Sequence, residues 1–256
     1  MPNTALITGA SSGIGAAFAR YHASKGGDLV ITARRAEALS ALKTELEAAH
    51  GVTVKTVALD LGAASGPDQL YDALEGQPID VLINNAGFGG HGDFLDRDLA
   101  ADLAMIDLNV KALVSLTHRV ARDMVARGSG KILNVSSTAS YMPGPLQATY
   151  FATKAYVSSF SQALAEELRS KGVTVTALEP GYVVTEFAAV AELEGTNLVK
   201  QKGATADSVA KFGYEAMLKG QLRAINDGKL RFLLNWVFPW LPRKAVLGMI
   251  RKMQAK

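Results

Sequence analysis

The stretch TALITGASSGIG, residues 4–15, joins a short apolar run to a glycine-rich turn that opens a helical pattern. Glycines at positions 9, 13 and 15 permit a tight turn and leave no Cβ atoms that would collide with an approaching group. The helix that follows directs its free N–H groups and the positive end of its dipole at the turn. An ordinary glycine-rich turn would have the same composition, but the place between a first strand and a first helix predicts a pyrophosphate site.

Strand-like and helix-like segments alternate along the rest of the chain. The predicted strands are Ala5–Thr8, Asp28–Thr32, Val52–Leu59, Ile79–Ile83, Lys131–Val135 and Val173–Leu178. The predicted helices are Ile14–Lys25, Ala36–His50, Gly66–Leu74, Leu99–Arg127 and Tyr150–Ser170. Short apolar runs without clean alternation are typical of strands buried on both faces, and helices between strands imply a parallel sheet. No repeat or linker divides the chain, so residues 1–256 are expected to form a single α/β domain with a doubly wound parallel sheet, a Rossmann fold.

Composition excludes several classes of protein. Of the 256 residues, 48% are hydrophobic and 20% charged, which excludes a disordered chain, and the net charge of +3 is too small to indicate a nucleic-acid partner. No apolar run approaches the roughly 20 residues of a membrane span, and the first residues lack the pattern of a signal peptide. A cytoplasmic protein is therefore expected. There is no cysteine, and the four histidines have no ligand spacing, so no metal site is expected.

Two arginines end the second predicted strand, where a dinucleotide-binding fold contacts the adenosine ribose. An acidic residue there selects NAD, whereas a basic residue accepts the 2′-phosphate of NADP. Arg34 is the first choice for the phosphate because its planar guanidinium matches the phosphate oxygens, and Arg35 is expected to assist, for example by stacking on the adenine. Two solvated arginines are the alternative, although a cation at a helix N-terminus is mildly unfavourable. The sequence predicts NADP(H), with NAD less favoured.

Tyr150 and Lys154 stand four residues apart in a helical pattern, which places them on one face, one turn apart. A nearby ammonium favours the phenolate form of a tyrosine, whose phenol otherwise titrates near pH 10. Such a tyrosine can act as a general acid on a carbonyl or as a general base on an alcohol. Taken alone, this spacing is a weak signal, because most instances are surface pairs.

Several motifs together resemble the short-chain dehydrogenases/reductases, over nearly the whole chain to about Phe187. The motifs stand in that family's order and are Thr8–Gly15, Asn84-Asn85-Ala86-Gly87, Asn109, Ser137, Tyr150/Lys154 and Pro180-Gly181. The resemblance implies an oxidoreductase that transfers a hydride between a nicotinamide cofactor and a carbonyl or secondary alcohol. It also implies a homo-oligomer, a dimer or a tetramer, paired through the two long helices.

The resemblance assigns a catalytic role to four residues. Tyr150 is the acid/base, Lys154 tunes the phenol and bonds the nicotinamide ribose, and Ser137 hydrogen-bonds the substrate carbonyl. Ser136 is the alternative serine, although its side chain is expected on the opposite face of the strand. Asn109 is expected to hold a water that links Lys154 into a proton relay, and a satisfied core asparagine is the alternative.

Cofactor contacts are implied at four further places. The residues are Gly9, Ser11, Ser12, Gly13, Ile14 and Gly15 of the turn, Asp60, the run Asn85, Ala86 and Gly87, and the run Pro180, Gly181, Val183 and Thr185. Asp60 would contact the adenine amine, although a turn or helix-cap role is nearly as good an interpretation. Val183 and Thr185 would hold the carboxamide of the nicotinamide, whereas Asn84 is expected to brace the central strands. Glu179 stands where the family more often has an apolar or small residue, and the sequence offers no functional reason for it.

The substrate side is expected to involve residues 186–204, as a mobile lid, and an apolar and basic C-terminal extension at residues 229–256. The extension either caps the active site, packs on the domain or a partner subunit, or contacts a membrane surface, which is the least favoured of the three. The first interpretation predicts a small, lipophilic carbonyl or alcohol substrate. A 3-oxoacyl-thioester reductase and a non-catalytic nucleotide-sensing protein of the same fold are the alternatives. His91 either borders the substrate or, as the favoured reading, lies in solvent.

Overall fold

A computed structural model describes residues 3–256 and shows a parallel sheet of seven strands. Nine strands are described in residues 3–256, seven in this sheet and two in a separate pair: β1 Thr4–Thr8, β2 Asp28–Ala33, β3 Val54–Ala58, β4 Val81–Asn84, β5 Gly130–Val135, β6 Val173–Leu178, β7 Val183–Val184, β8 Ala204–Thr205 and β9 Arg223–Ala224. The sheet order is β3-β2-β1-β4-β5-β6-β9, and every pairing is parallel. The short strands β7 and β8 pair separately, with Val183 opposite Ala204.

Ten α-helices are described between Asn3 and Lys256. They are α1 Gly13–Ala23, α2 Ala36–His50, α3 Gly66–Asp72, α4 Leu99–Ile106, α5 Leu113–Arg127, α6 Ala148–Arg169, α7 Phe187–Val190, α8 Ala206–Leu218, α9 Gly228–Phe232 and α10 Arg243–Gln254. The helix predicted over residues 99–127 is interrupted by a π-helical segment, Asp107–Ala112, that joins α4 to α5. The predicted doubly wound sheet in a single domain is confirmed.

Side chains that alternate along each strand fill two cores, one on each face of the sheet. In β1, Ala5 and Ile7 belong to the core under α1, α2 and α8, whereas Leu6 points into the core under α3, α5 and α6. All three are fully buried. Burial on both faces is the physical reason that the strand sequences are apolar without a polar alternation.

The chain reverses its direction of winding between β1 and β4, which are neighbours in the sheet. In a sheet of this kind a crevice opens at that point, outside the carboxyl ends of the strands. The glycine-rich turn after β1 and the Asn85-Ala86-Gly87 run after β4 both lie at this edge. The topology therefore brings the predicted functional residues together.

The C-terminal extension is not one long apolar helix. Residues 228–254 form α9, a π-helical segment at Leu233–Val237, a 3₁₀ turn at Phe238–Trp240 and α10. Helix α10 buries Val246 and Ile250 and exposes basic residues on its other face. Between Asn3 and Lys256, no helix has the length and apolar character that a membrane crossing needs.

Candidate active site

A cavity of about 590 Å³ lies at the carboxyl edge of the sheet. Of the predicted catalytic and cofactor-binding residues, all line it except Gly15 and Asn109. The predicted residues in the lining are Gly9, Ser11, Ser12, Gly13, Ile14, Arg34, Arg35, Asp60, Asn85, Ala86, Gly87, Ser137, Tyr150, Lys154, Pro180, Gly181, Val183 and Thr185. The structure thus gathers residues that are up to 176 positions apart in the sequence, from Gly9 to Thr185, around one space.

The glycine-rich turn has the backbone that its sequence predicts. Gly9 adopts φ +68° and Gly13 adopts φ +54°, both in the left-handed region that favours glycine. A Cβ atom on Gly15 would collide with the carbonyl oxygen of Gly9, so Gly15 packs directly against the turn, and it does not line the cavity. A Cβ on Gly9 would lie 2.9 Å from Ala86 Cα. The glycine-rich turn thus packs closely on the loop after β4, and Gly9 and Gly13 also line the cavity.

The side chain of Thr8 holds the loop after β4 against this turn. Its hydroxyl accepts hydrogen bonds from the backbone N–H groups of Asn85 and Ala86, at 3.0 and 2.9 Å. The Asn85 amide donates back to the carbonyl of Thr8 at 3.0 Å. Asn84 braces the central strands as expected, because its amide donates to Asn134 Oδ1 at 2.8 Å and to Thr117.

The two arginines after β2 differ in their contacts. Arg35 donates to the hydroxyl of Ser11 at 3.2 Å and to Glu186 Oε2 at 3.0 Å, and this ion pair lowers the pKa of the Glu186 carboxyl. Arg34 is exposed and lines the cavity. The guanidinium already attached to the glycine-rich turn is therefore that of Arg35, whereas the sequence favoured Arg34.

Asp60 follows β3 and also lines the cavity. One of its carboxylate oxygens accepts the backbone N–H of Gly62 at 3.0 Å, which is the turn role that the sequence left open. The two interpretations of Asp60 are compatible, because a carboxylate has further lone pairs for a ligand.

Tyr150 and Lys154 lie on one face of α6, and Lys154 is buried whereas Tyr150 is partly buried. The Lys154 ammonium is 5.8 Å from the centre of the Tyr150 ring and donates to the carbonyl of Val135 at 2.9 Å. Burial lowers the pKa of Lys154 to about 8 and raises the pKa of Tyr150 to about 12. The hydroxyl of Ser137 acts in the opposite direction on the pKa of Tyr150, because its hydrogen bond favours the phenolate.

The two serines after β5 point in different directions. Ser136 is buried and donates to the carbonyl of Lys154 at 2.7 Å, so its hydroxyl is used inside the protein. Ser137 accepts the backbone N–H of Ala139 at 3.1 Å and lines the cavity beside Tyr150. The geometry favours Ser137, as the sequence did, and Ser136 helps to hold α6 in place.

Asn109 lies in the π-helical segment and is 2% exposed. Its carboxamide accepts the backbone N–H of Phe88 at 3.1 Å and donates to the Phe88 carbonyl at 2.9 Å and to Thr153. The side chain is therefore committed to protein partners, and any water relay would have to use its backbone. A Cβ on Gly87 would lie 2.9 Å from Asn109 Oδ1 and 3.6 Å from Lys154 Nζ, so these groups meet behind Gly87.

The structure explains the unusual Glu179, for which the sequence offered no reason. Its carboxylate is fully buried at the end of β6 and accepts hydrogen bonds from Tyr141, Ser158 and Arg223, at 2.9, 2.5 and 3.1 Å. The Arg223 guanidinium also stacks on the Tyr141 ring, 4.3 Å from its centre. Glu179, the residue before Pro180, thus links the end of β6 to α6, to β9 and to the 3₁₀ turn Thr138–Tyr141 that follows Ser137.

Next in the chain, residues 181–185 form the floor beside the turn. The carbonyl of Pro180 accepts the backbone N–H of Thr138 at 3.0 Å, and Gly181 lines the cavity. Val183 pairs with Ala204 in the short β7·β8 sheet. A Cβ on Gly13 would lie 3.3 Å from the methyl group of Thr185, so this floor packs directly against the glycine-rich turn.

Beyond Tyr150, the cavity continues between residues 186–204 and the C-terminal extension. Its lining there is mostly apolar and comprises Phe187, Val190, Leu193 and Leu198 from the first segment and Leu230, Leu234, Phe238, Met249, Ile250 and Met253 from the second. The two segments are joined by backbone hydrogen bonds, from the N–H of Asn197 to the carbonyl of Ala255 at 3.1 Å and from that of Leu198 to Met253 at 3.0 Å.

The expectation that His91 lies in solvent is wrong. Its Nε2 bonds the backbone carbonyl of Gln254 at 2.7 Å, so it fastens the loop after β4 to the end of α10. Among residues 3–256, no group of three or more His, Asp or Glu side chains is placed to hold a metal ion.

The comparisons with known proteins agree with this geometry. The sequence model of a family described as short chain dehydrogenase matches residues 3–194. A very-long-chain 3-oxoacyl-CoA reductase from Anas platyrhynchos is 31% identical over 97% of the chain and 78% of its own length, and the chain spans 61% of the length of two mammalian proteins of that name.

Solved structures resemble the whole chain. A short-chain dehydrogenase from Sphingobium yanoikuyae in complex with NADPH is 32% identical, with a TM-score of 0.86 over 100% of this chain and 99% of its own. A short chain dehydrogenase/reductase from Burkholderia phymatum in complex with NAD is 26% identical, with a TM-score of 0.84 over 93% of each chain. Both nicotinamide cofactors are thus found in proteins similar to this one.

Proposed function

The chain belongs to the short-chain dehydrogenase/reductase family, and from that premise we propose that it interconverts a lipophilic ketone and its secondary alcohol with NADP(H). The observation that carries the proposal is that one cavity joins the glycine-rich turn to Tyr150 and Lys154. Burying the Lys154 ammonium beside a partly buried phenol opposes folding, and a protein that only binds a ligand would gain nothing from that arrangement.

The residues at the edge of the sheet fit a nicotinamide dinucleotide. The glycine-rich turn would hold the pyrophosphate, because Gly9 and Gly13 leave its edge free of side chains and α1 begins there. Arg34 and Arg35 would hold the 2′-phosphate of NADP, and the end of β2 offers no carboxylate to the ribose. Hydride transfer is the chemistry that such a cofactor supplies when bound.

Tyr150 is the proposed acid in ketone reduction. With a pKa raised to about 12 by burial, its phenol holds a proton at neutral pH and can give it to the developing alkoxide. The Lys154 ammonium stabilises the phenolate that remains, because its nitrogen lies 5.8 Å from the centre of the Tyr150 ring. Ser137 orients the carbonyl by a hydrogen bond that strengthens as negative charge develops on its oxygen.

The substrate class follows from the far half of the cavity. Apolar side chains from residues 186–204 and from α9 to α10 line it, so burial of an alkyl chain or a fused ring there would be favourable. This supports the interpretation that residues 186–204 act as a lid and that the extension caps the site. A homo-oligomer and a cytoplasmic location stay predictions.

A 3-oxoacyl-thioester reductase is the second candidate. It is favoured by the relative named very-long-chain 3-oxoacyl-CoA reductase, which matches 97% of this chain. A non-catalytic nucleotide sensor is disfavoured, because binding alone gives no use to a proton donor at Tyr150.

A substrate panel tests the proposal. Purified protein is mixed with NADPH or NADH and with ketones of increasing alkyl length, 3-oxoacyl thioesters among them, and cofactor oxidation is followed by absorbance. We expect turnover with NADPH that improves with chain length and that Tyr150→Phe reduces by about 10²- to 10⁴-fold. Binding of NADPH without turnover of any ketone would contradict the proposal.

A further inference from the structure

The first half of the C-terminal extension, residues 228–240, is apolar on two opposite sides. Three side chains four positions apart line the cavity from the inner side: Leu230, Leu234 and Phe238. Three aromatic side chains with the same spacing, two positions further along, are exposed at 61%, 70% and 85%: Phe232, Trp236 and Trp240. Side chains two positions apart in a helical segment do not face each other. The fold therefore uses one apolar side and leaves the other in solvent.

The exposed rings need an explanation, because packing within the protein does not supply one. Both tryptophans of the chain, Trp236 and Trp240, are among them. A contiguous exposed apolar patch that is rimmed by polar residues marks a site for a protein or membrane partner. Which partner fits is decided by the charges around the rings.

The basic residues of the extension are exposed as well. Residues 228–256 hold seven of the 27 lysines and arginines of the chain and none of its 24 aspartates and glutamates. All seven side chains are exposed: Lys229, Arg231, Arg243, Lys244, Arg251, Lys252 and Lys256. Arg251 pairs with Asp93 at 3.5 Å, and no ion pair is described for the other six between Asn3 and Lys256. Positive charge is thus concentrated on the extension, although the net charge of the chain is only +3.

The outer sides of the two halves of the extension belong to one surface, because their inner sides pack on each other. Phe238 from the first half and Val246 and Ile250 from α10 lie in one cluster with Tyr150. The sides turned away from this cluster form the outside of the cap. Met249 lines the cavity and is 48% exposed, so the mouth of the cavity borders the same surface. The three aromatic and seven basic side chains make up the outer face of the extension.

We propose that the outer face of the extension docks on the surface of an anionic lipid bilayer. Aromatic rings favour the boundary between headgroups and acyl chains, and lysines and arginines bind anionic headgroups. The sequence alone places membrane contact last among the roles of the extension, and the joint exposure of rings and basic groups argues for it. The inner side still caps the site. Docking concerns binding alone, so it does not depend on the reaction that the protein catalyses.

A second copy of the chain fits this surface less well. A symmetric pair brings the same patch of both copies together, so the outer face would meet itself. Seven positive side chains of one copy would then oppose seven of the other, with no carboxylate among residues 228–256 to pair with them. An anionic bilayer offers an apolar interior to the rings and opposite charge to the basic groups.

Sedimentation with vesicles tests the proposal. The full chain with NADPH is mixed with sucrose-loaded vesicles of phosphatidylcholine containing about 30% phosphatidylglycerol, or of phosphatidylcholine alone, and the protein in the pellet gives a partition coefficient. We expect the coefficient to be at least about tenfold larger on the mixed vesicles. Raising the salt from about 0.1 M to about 1 M should remove most of that difference, because it shortens the screening length from about 10 to about 3 Å.

Two double variants examine the rings and the charges separately. Trp236→Ser with Trp240→Ser should lower the coefficient on mixed vesicles by about tenfold or more, since the rings no longer enter the interface. Arg243→Gln with Lys244→Gln should also lower it by about tenfold, and should change binding to phosphatidylcholine alone much less.

Matched control pairs lie at the amino edge of the sheet, far from the extension. Leu218→Ser with Leu222→Ser removes two exposed apolar groups, and Lys171→Gln with Lys219→Gln removes two exposed charges. These positions surround the end of α8 and the starts of β6 and β9. Each control pair should change the coefficient by less than about twofold. The thermal unfolding midpoint of every variant shows whether it is folded.

Tryptophan emission gives a second readout, because both tryptophans lie on the outer face. On mixed vesicles the emission should shift to shorter wavelength, and lipids brominated in their acyl chains should quench it. No sedimentation with mixed vesicles, sedimentation without these changes in emission, or equal losses in test and control pairs would overturn the proposal. A molar mass that falls in the tryptophan variant, with no vesicle binding by the parent, would assign the outer face to a second copy instead. Each of these results leaves the proposed reaction standing, since the ketone assay does not involve vesicles.

Discussion

The ammonium of Lys154 lies 5.8 Å from the centre of the Tyr150 ring and is fastened to the carbonyl of Val135 at 2.9 Å. Because β5 carries that carbonyl and α6 carries both side chains, the sheet itself fixes the distance between the two groups. Burial moves their pKa values apart, that of Lys154 down to about 8 and that of Tyr150 up to about 12. At neutral pH the Tyr150 phenol is therefore protonated and Lys154 is charged, so the ammonium can stabilise the phenolate when it forms.

The two directions of the reaction are expected to depend on pH differently. Ketone reduction uses the protonated phenol, which persists well above neutral pH because burial raises the pKa of Tyr150 to about 12. Alcohol oxidation needs the phenolate form of Tyr150, which accepts the proton of the alcohol. Below the pKa of Lys154, about 8, we expect kcat/KM for oxidation to rise from about pH 6 upwards, while that for reduction stays nearly flat. Steady-state profiles in both directions check this, and parallel profiles would argue against Tyr150 as the acid/base.

Lys154→Met is expected to stabilise the protein at neutral pH. The folded-state pKa of Lys154 is lowered to about 8 from 10.5, so between these values the unfolded chain binds a proton that the folded chain does not. The charge opposes folding fully below about pH 8 and less as the pH rises towards 10.5. The gain in free energy of unfolding should reach at most about 3 kcal/mol at pH 7 and shrink by pH 10.

Urea unfolding at the two pH values measures that difference. Lys171→Met, at an exposed lysine, is the control and should change the free energy of unfolding by less than about 0.5 kcal/mol. A Lys154→Met protein that is less stable than the parent at neutral pH would show that the hydrogen bond to Val135 outweighs the cost of burying the charge.

The ion pair between Glu179 and Arg223 should respond asymmetrically to mutation. Glu179 is fully buried, whereas the side chain of Arg223 is 31% exposed and can reach water. Arg223→Ala leaves a buried carboxylate without its cation and is expected to lower the free energy of unfolding by about 3–5 kcal/mol. Glu179→Gln keeps acceptors for Tyr141 and Ser158 and should be milder.

Urea unfolding of the two single variants and the double variant checks this. The double variant should be more stable than Arg223→Ala alone, because it removes the unpaired carboxylate. Equal losses in the two single variants would mean that the exposed part of Arg223 gives it no access to solvent.

Arg34→Asp should change the preference for the cofactor. The substitution places a carboxylate where the 2′-phosphate of NADP would lie and offers an acceptor to the ribose hydroxyls of NAD. We expect kcat/KM for NADPH to fall by about tenfold to a hundredfold relative to NADH, the worth of one charge-assisted hydrogen bond. The same substitution at Arg35 is the comparison. If Arg35→Asp has the larger effect, then Arg35, which is hydrogen-bonded to Ser11, is the arginine that binds the 2′-phosphate.

The arrangement of the sheet followed from the sequence because it depends on local patterns. Apolar runs after regular helical intervals identified β1 to β6, and the glycine-rich turn after β1 marked the edge where the cavity opens. The four-residue spacing placed Tyr150 and Lys154 on one face for the same reason. Such signals are contained in a few neighbouring residues.

What the sequence could not show depends on contacts between distant segments. Glu179 gains its partners from Tyr141, Ser158 and Arg223, none of which stands beside it in the chain. The π-helical segment around Asn109 has no distinct composition, and the partners of the Asn109 side chain, Phe88 and Thr153, lie in other segments of the chain. The partner of His91, the Gln254 backbone, lies 163 positions away.

The backbone bonds from Asn197 and Leu198 to the last turn of the C-terminal helix have a consequence for how a ligand enters. Residues 186–204 and the C-terminal helix are joined by these two hydrogen bonds, so one segment can move outward alone only if both bonds break. Movement of the two segments together keeps the bonds. A chimera that takes only one of these two segments from a relative would pair backbones that did not evolve together. Transferring a relative's substrate selectivity to this protein would therefore require exchange of both segments at once.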